Sequence, residues 1–210
     1  IKTILAVEQY PFATLVCRKF IMAQEKDPKQ RHKFTFFFQS GLQYYISGRF
    51  SFLNRFVPIG PIMLHHATEM FLKASLLGRF EEKELWINFR HNLEKLWESF
   101  KNEYPNSGLE KYDSAIKSLN PWEEIRYWED MGSSIGMALR IRKEIGPLQL
   151  ANQSTIQYSL CLEEVDELIK RIFEITSVNI NFFGGLFTND DVKNYYKDEN
   201  YHQFDIETWK

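Results

Sequence analysis

Cysteine is nearly absent, with only Cys17 and Cys161 in 210 residues. Zinc knuckles need closely spaced thiols and small secreted scaffolds need many, so both are excluded, and two free thiols in a reducing compartment are expected. Long apolar runs are lacking as well. A membrane helix takes about 18 or more uninterrupted apolar residues, and the most apolar window, residues 56–77, is broken by Pro58, Pro61, His65, His66, Glu69 and Lys73. The opening "IKTILAVEQYPF" shows no basic flank, apolar block or small-residue cleavage site of a secretory signal. A cytoplasmic protein without a membrane segment is therefore expected. Charge of one sign is also missing: 26 Lys and Arg stand against 28 Asp and Glu, for a net −2. That balance removes the electrostatic case for a protein that wraps duplex nucleic acid. Internal repeats and low-complexity segments are absent too.

Aromatic residues are what the chain has in quantity, 16% of it including eighteen phenylalanines. Large flat side chains should therefore build the core. The hydrophobic share of 44% and charged share of 26% suit an ordinary globule. The length suits one domain, residues 1–210, better than two.

Helical periodicity dominates. Phe12, Leu15, Val16, Phe20 and Ala23 follow an i, i+3, i+4 pattern behind Pro11, predicting an extra N-terminal helix. After the charged break "EKDPKQRHK", Phe38, Leu42, Tyr45, Phe52 and Phe56 form a second stripe. Gly41 and Gly48 weaken that helix intrinsically but permit close packing. A central helix from Pro61 stops near Gly78, a natural cap. A helical turn through "EEKELW", a helix carrying Leu93, Leu96, Trp97, Phe100 and Tyr104, a shorter one in "GLEKYDSAIKSL" and another headed by Pro121 follow. Residues 131–152 break the pattern and read as a loop or small β excursion. Ser154 and Gln157 have capping-box spacing before a seam of Tyr158, Cys161, Val165, Leu168, Ile172 and Ile175, which predicts the last long helix. There, acidic residues including Asp166 precede Lys170 and Arg171, the order the helix dipole favours. "NFFGGLF" reads as a turn, with one more short helix in the tail. The fold class is all-α, an up-and-down antiparallel bundle.

On the central helix His65, Glu69 and Lys73 form a polar line at i, i+4 and i+8, and His66 stands three residues before Glu69. Glu69 can pair with Lys73 one turn away, and His65 can reach Glu69. Histidine and carboxylate one turn apart are a usable metal pair, yet H-E-x-x-H is missing. Carboxylate-bridged bundle sites ask for E-x-x-H on two separate helices, a demand the sequence does not meet. No metal and no cofactor is expected from this line.

Four stretches, taken in order, resemble the HEPN family, the nucleotide-binding helical domain of higher eukaryotes and prokaryotes. "YYISGRFSFLNRFVPIGPIMLHHATEMFLKASLL" resembles its first two core helices, with Ala67, Glu69, Lys73 and Ala74 matching an A-x-E-x-x-x-K-A run. "RHNLEKLW", with His91, Leu93 and Leu96, is similar to the H-x-L-x-x-L start of the next helix. "EIRYWED" supplies an Arg126–Tyr127 pair, and "CLEEVDELIKRIF" looks like the final core helix. The resemblance implies a HEPN-like core over residues 34–180, a helical extension at 1–33 and a tail at 181–210.

It further implies a homodimer that binds a nucleotide or RNA. The partner protein implied is a nucleotidyltransferase or a toxin–antitoxin or defence component. Catalytic members carry R-x(4–6)-H, a fixed cation for phosphate and a proton shuttle. No arginine of this chain is followed by histidine five to seven residues on. The expectation is thus a non-catalytic binding protein, with His65, Glu69, Lys73, His91, Arg126 and Tyr127 as ligand-binding candidates and no catalytic residue. A ribonuclease using His91 and Arg126, and a purely structural dimerisation module, are the alternatives. "GSSIG" lacks the lysine and spacing of a phosphate loop, and "RIRK" reads as a solvated basic loop.

Overall fold

Pro28 opens the first helix among the described residues, where its fixed φ helps and its missing N–H costs nothing. The computed structural model describes residues 28–130, 135–144, 156–178, 185–187 and 189–203. The expected N-terminal helix, Cys17, Ser154 and most of "GSSIG" lie outside them. Helix α1 (Pro28–Leu53) takes in the last six of the nine residues of the charged segment expected as a break. Its buried face carries Phe34, Phe37, Phe38, Leu42, Tyr45, Ile46 and Phe52. Phe56, expected on this stripe, lies past the helix end and is 53% exposed. The chain has already turned at Arg55, which takes a left-handed φ of 62°.

Helix α2 (Ile59–Leu76) is buried on nearly all sides, as befits a central helix. Gly78 follows it without a left-handed φ, so the glycine cap expected there does not form. Three glycines set the distance between α1 and α2. A Cβ on Gly41 would lie 2.6 Å from the Phe71 ring, one on Gly48 3.0 Å from Leu64, and one on Gly60 2.7 Å from the Phe52 backbone. The close approaches run in opposite order along the two helices, 41 with 71, 48 with 64 and 52 with 60, as in an antiparallel pair.

A single turn, α3 (Glu82–Glu84), leads into a π-helical turn at Leu85–Phe89. Helix α4 (Leu93–Glu103) is capped by Asn92, whose side chain accepts the Lys95 N–H at 2.9 Å. A 3₁₀ turn at Glu110–Tyr112 precedes α5 (Asp113–Leu119), and a longer 3₁₀ run spans Asn120–Asp130. Strands β1 (Ile135–Arg140) and β2 (Ile156–Cys161) pair in parallel, Ile135 with Ile156 through Arg140 with Cys161. Helices α6 (Leu162–Thr176) and α7 (Asp190–Lys197) complete the order.

Among the described residues the fold is thus mainly helical, with one small sheet where the helical pattern fails. The last long helix starts at Leu162, and the capping box expected at Ser154 and Gln157 does not begin it. Ile156, Tyr158 and Leu160 alternate with Gln157 and Ser159, so the same residues satisfy a two-residue period. Pairing with β1 selects that period. In the core, the Phe38, Phe71 and Phe173 rings of α1, α2 and α6 meet with centroids 4.8–5.0 Å apart. Among the described residues no helix is long and apolar enough to cross a membrane.

Candidate functional site

The middle of α2 carries two charges into the interior. Glu69 and Lys73 are both fully buried, with Lys73 Nζ donating to Glu69 Oε1 at 2.5 Å. Lys73 Nζ also donates to the Arg90 carbonyl at 2.7 Å and lies 3.6 Å from the centre of the Trp86 ring. A carboxylate, a carbonyl and an aromatic face thus share one buried ammonium. Such a pair costs a great deal to bury and more to break, because the surviving charge has no water to turn to.

The other oxygen of Glu69 faces two imidazoles, His91 Nδ1 at 3.1 Å and His66 Nδ1 at 3.4 Å. Burial by itself would raise the Glu69 pKa. The His66 bond, the charge and bond of Lys73 and the His91 bond outweigh it and hold the carboxyl at about 2. Glu69 is therefore an acceptor at neutral pH, and each Nδ1 must donate to it. Burial, opposed by Glu69, shifts Lys73 downward.

The segment after α3 supplies the rest. It runs through the π turn and then through Arg90, whose φ of 48° and ψ of −116° are ones that side-chain-bearing residues rarely adopt. This strained residue delivers its carbonyl to Lys73 and sets His91 against Glu69. Arg90 itself is exposed, and the His91 side chain is 43% exposed. π turns and strained residues both concentrate at functional sites.

The sequence-predicted residues land unevenly. Glu69, Lys73 and His91 come together. His65 turns away from the line: its Nδ1 lies 3.1 Å from the Leu119 carbonyl, and its place beside Glu69 is taken by His66. Adjacent residues project about 100° apart on a helix, so only one of two neighbouring histidines can face the carboxylate. Burial depresses the His65 pKa to about 4, against the opposing pulls of the Leu119 backbone, Glu69 and the His91 backbone, so its ring is neutral. Arg126 and Tyr127 lie on the 3₁₀ run, their side chains outside the described residues.

Four contributors were not predicted: His66, Trp86, Arg90 and Glu123, whose Oε2 lies 3.5 Å from His66 Nε2. The i, i+3 spacing of His66 and Glu69 was the available signal for the first. Nothing local marks the others. The "RIRK" loop is less free than expected, with Arg140 paired to Glu164, Arg142 to Glu199 and Lys143 to Glu167.

No family model, curated protein or solved structure matches this chain.

Proposed function

We propose that this chain is a non-catalytic, HEPN-like helical protein that binds the phosphate of a nucleotide or nucleic-acid end at the turn bearing Trp86, Arg90 and His91. The observation that carries this reading is the strained turn at Arg90. A non-glycine residue held at φ 48° costs of order 1–3 kcal/mol, and the cost secures a turn on which an exposed arginine is followed directly by a half-exposed histidine. Because Glu69 holds Nδ1 of His91, the Nε2 edge is the one left to a ligand. An exposed arginine supplies the matching fork for phosphate. Trp86, 40% exposed, offers a ring for stacking a base. Lys73 has a different role in this reading: fully enclosed by Glu69, the Arg90 carbonyl and Trp86, it braces the turn and does not touch the ligand.

Calorimetric titration with nucleoside monophosphates and a 5′-phosphorylated RNA oligonucleotide tests the proposal. Binding is expected, weakened about tenfold or more by Arg90→Ala and by His91→Ala, since a charge-assisted hydrogen bond contributes about 1.5–3 kcal/mol. Absence of binding, or binding indifferent to both substitutions, would overturn it.

One observation favours a second reading, a protein-binding or dimerising face. Phe36, Trp86 and Ile87 are 61%, 40% and 60% exposed, and the buried Phe37 ring lies 6.1 Å from Phe36 and 6.0 Å from Trp86, linking the exposed apolar residues of α1 to those of the π turn. Light scattering would show a dimer that Ile87→Glu disperses.

A further inference from the structure

His65, His66 and Glu123 each offer one ligand atom, and these atoms all lie within 4.8 Å of one another. We propose that the three bind a divalent metal ion of the zinc type, with His65 Nε2, His66 Nε2 and a carboxylate oxygen of Glu123 as donors. The hydrogen bonds behind the ligands argue for this first. Metal-bound histidines almost always give their other ring N–H to a carbonyl or carboxylate, which fixes the tautomer and aims the lone pair. Both histidines do so here: Nδ1 of His65 donates to the Leu119 carbonyl at 3.1 Å, and Nδ1 of His66 to the Glu69 carboxylate at 3.4 Å. Neither partner can donate in return, so the neutral form of each ring carries its lone pair on Nε2.

The second argument is an orphaned atom. His65 is fully buried, and no hydrogen bond of ordinary geometry reaches its Nε2, although the His91 backbone, like that of Leu119, pulls the ring toward its protonated form. A buried polar atom left unsatisfied is rare and costly. The third is distance. His66 Nε2 lies 3.5 Å from Glu123 Oε2. Donors bound tetrahedrally at about 2.0–2.1 Å sit about 3.4 Å apart, so this edge of the site is already at coordination spacing.

A second grouping, His66 with Glu69 and His91, also lies within 4.8 Å. It is a poorer host. Glu69 is bound by Lys73 at 2.5 Å, and a cation placed on it would meet that ammonium. Glu69 belongs behind the ligands, orienting His66. Two imidazoles and one carboxylate suit zinc-like ions better than calcium or magnesium, which prefer oxygen donors throughout. Three protein ligands leave a fourth position, on the side where His66 and Glu123 reach solvent with 13% and 12% of their side chains exposed. Metal binding here is independent of the nucleotide reading, because the ion alone is the probe.

The test uses the full chain, stripped with EDTA and dialysed, then titrated with Zn(II) by calorimetry and Co(II) by visible absorption. One equivalent per chain is expected, with the intense cobalt bands of four-coordination. Affinity should fall at least about tenfold in His66→Gln and in Glu123→Gln. It should hold in His32→Ala, at an exposed histidine on α1. Circular dichroism confirms that the variants fold. A wild-type chain that takes up no ion overturns the proposal. Uptake as strong in His66→Gln and Glu123→Gln as in the wild type, or weakened equally in His32→Ala, also overturns it.

Discussion

His65 and Glu69 show how one helix turn sends neighbouring polar residues to opposite fates. Glu69 is kept charged by donors on three sides, whereas His65 is kept neutral by burial. The His65 case makes stability depend on pH. Its folded pKa of about 4 lies below the ordinary 6.5, so the unfolded chain binds the proton more readily between those values. Stability is full above about pH 6.5 and falls as pH drops toward 4, by about 3 kcal/mol in total. Urea unfolding of the metal-free protein from about pH 7 to about pH 4 measures this. His65→Gln, which keeps a donor for Leu119 but cannot titrate, should flatten the curve; an unchanged slope would refute the assignment.

At the scale of elements, the α1–α2 pair depends on what its glycines lack. At Gly41 an added methyl would press on a Phe71 ring already held between Phe38 and Phe173. Overpacking costs about 1–3 kcal/mol, more than the gain of about 1 kcal/mol that alanine brings to a helix. Gly41→Ala should therefore destabilise by up to about 2 kcal/mol in urea unfolding. Gly78→Ala, with no atom within 4 Å of the new Cβ, should raise stability by about 0.4–1 kcal/mol. Equal effects at the two positions would mean that backbone entropy, not packing, governs both.

Across the whole molecule, a second buried polar network fastens α7 to α1 and α6. Arg49 of α1 pairs with Asp166 of α6 and donates to the Tyr195 carbonyl at 3.0 Å and to the Asp198 carbonyl. Tyr45 donates to Asp166 at 2.6 Å, and Asn200 donates to Tyr45 at 3.2 Å. Burial raises the Asp166 pKa against the pull of Arg49. Asp166→Ala leaves a buried guanidinium uncompensated and should cost about 3–5 kcal/mol, with faster amide exchange across residues 190–197. Replacing both partners with apolar residues, Arg49→Met with Asp166→Leu, should cost less than the single change. A single variant as stable as the wild type would show that the network contributes nothing.

The sequence by itself determined the mainly helical class, the break before the last long helix, the short tail helix and the Glu69–Lys73 pair. All of these follow from spacing within one element. Periodicity reports which face is apolar, and i, i+4 neighbours must meet wherever the helix lies. It could not decide that Asp166, outwardly part of a dipole-ordered acidic run, is buried against Arg49. Nor could it decide that Tyr158 and Cys161 sit on a strand, because their residues satisfy both periods and only the partner strand chooses. Glu123 beside His66, Arg90 over Lys73 and Leu119 against His65 bring together residues 17 to 57 positions apart. Those contacts are set by the packing of separate elements, to which spacing along the chain is blind.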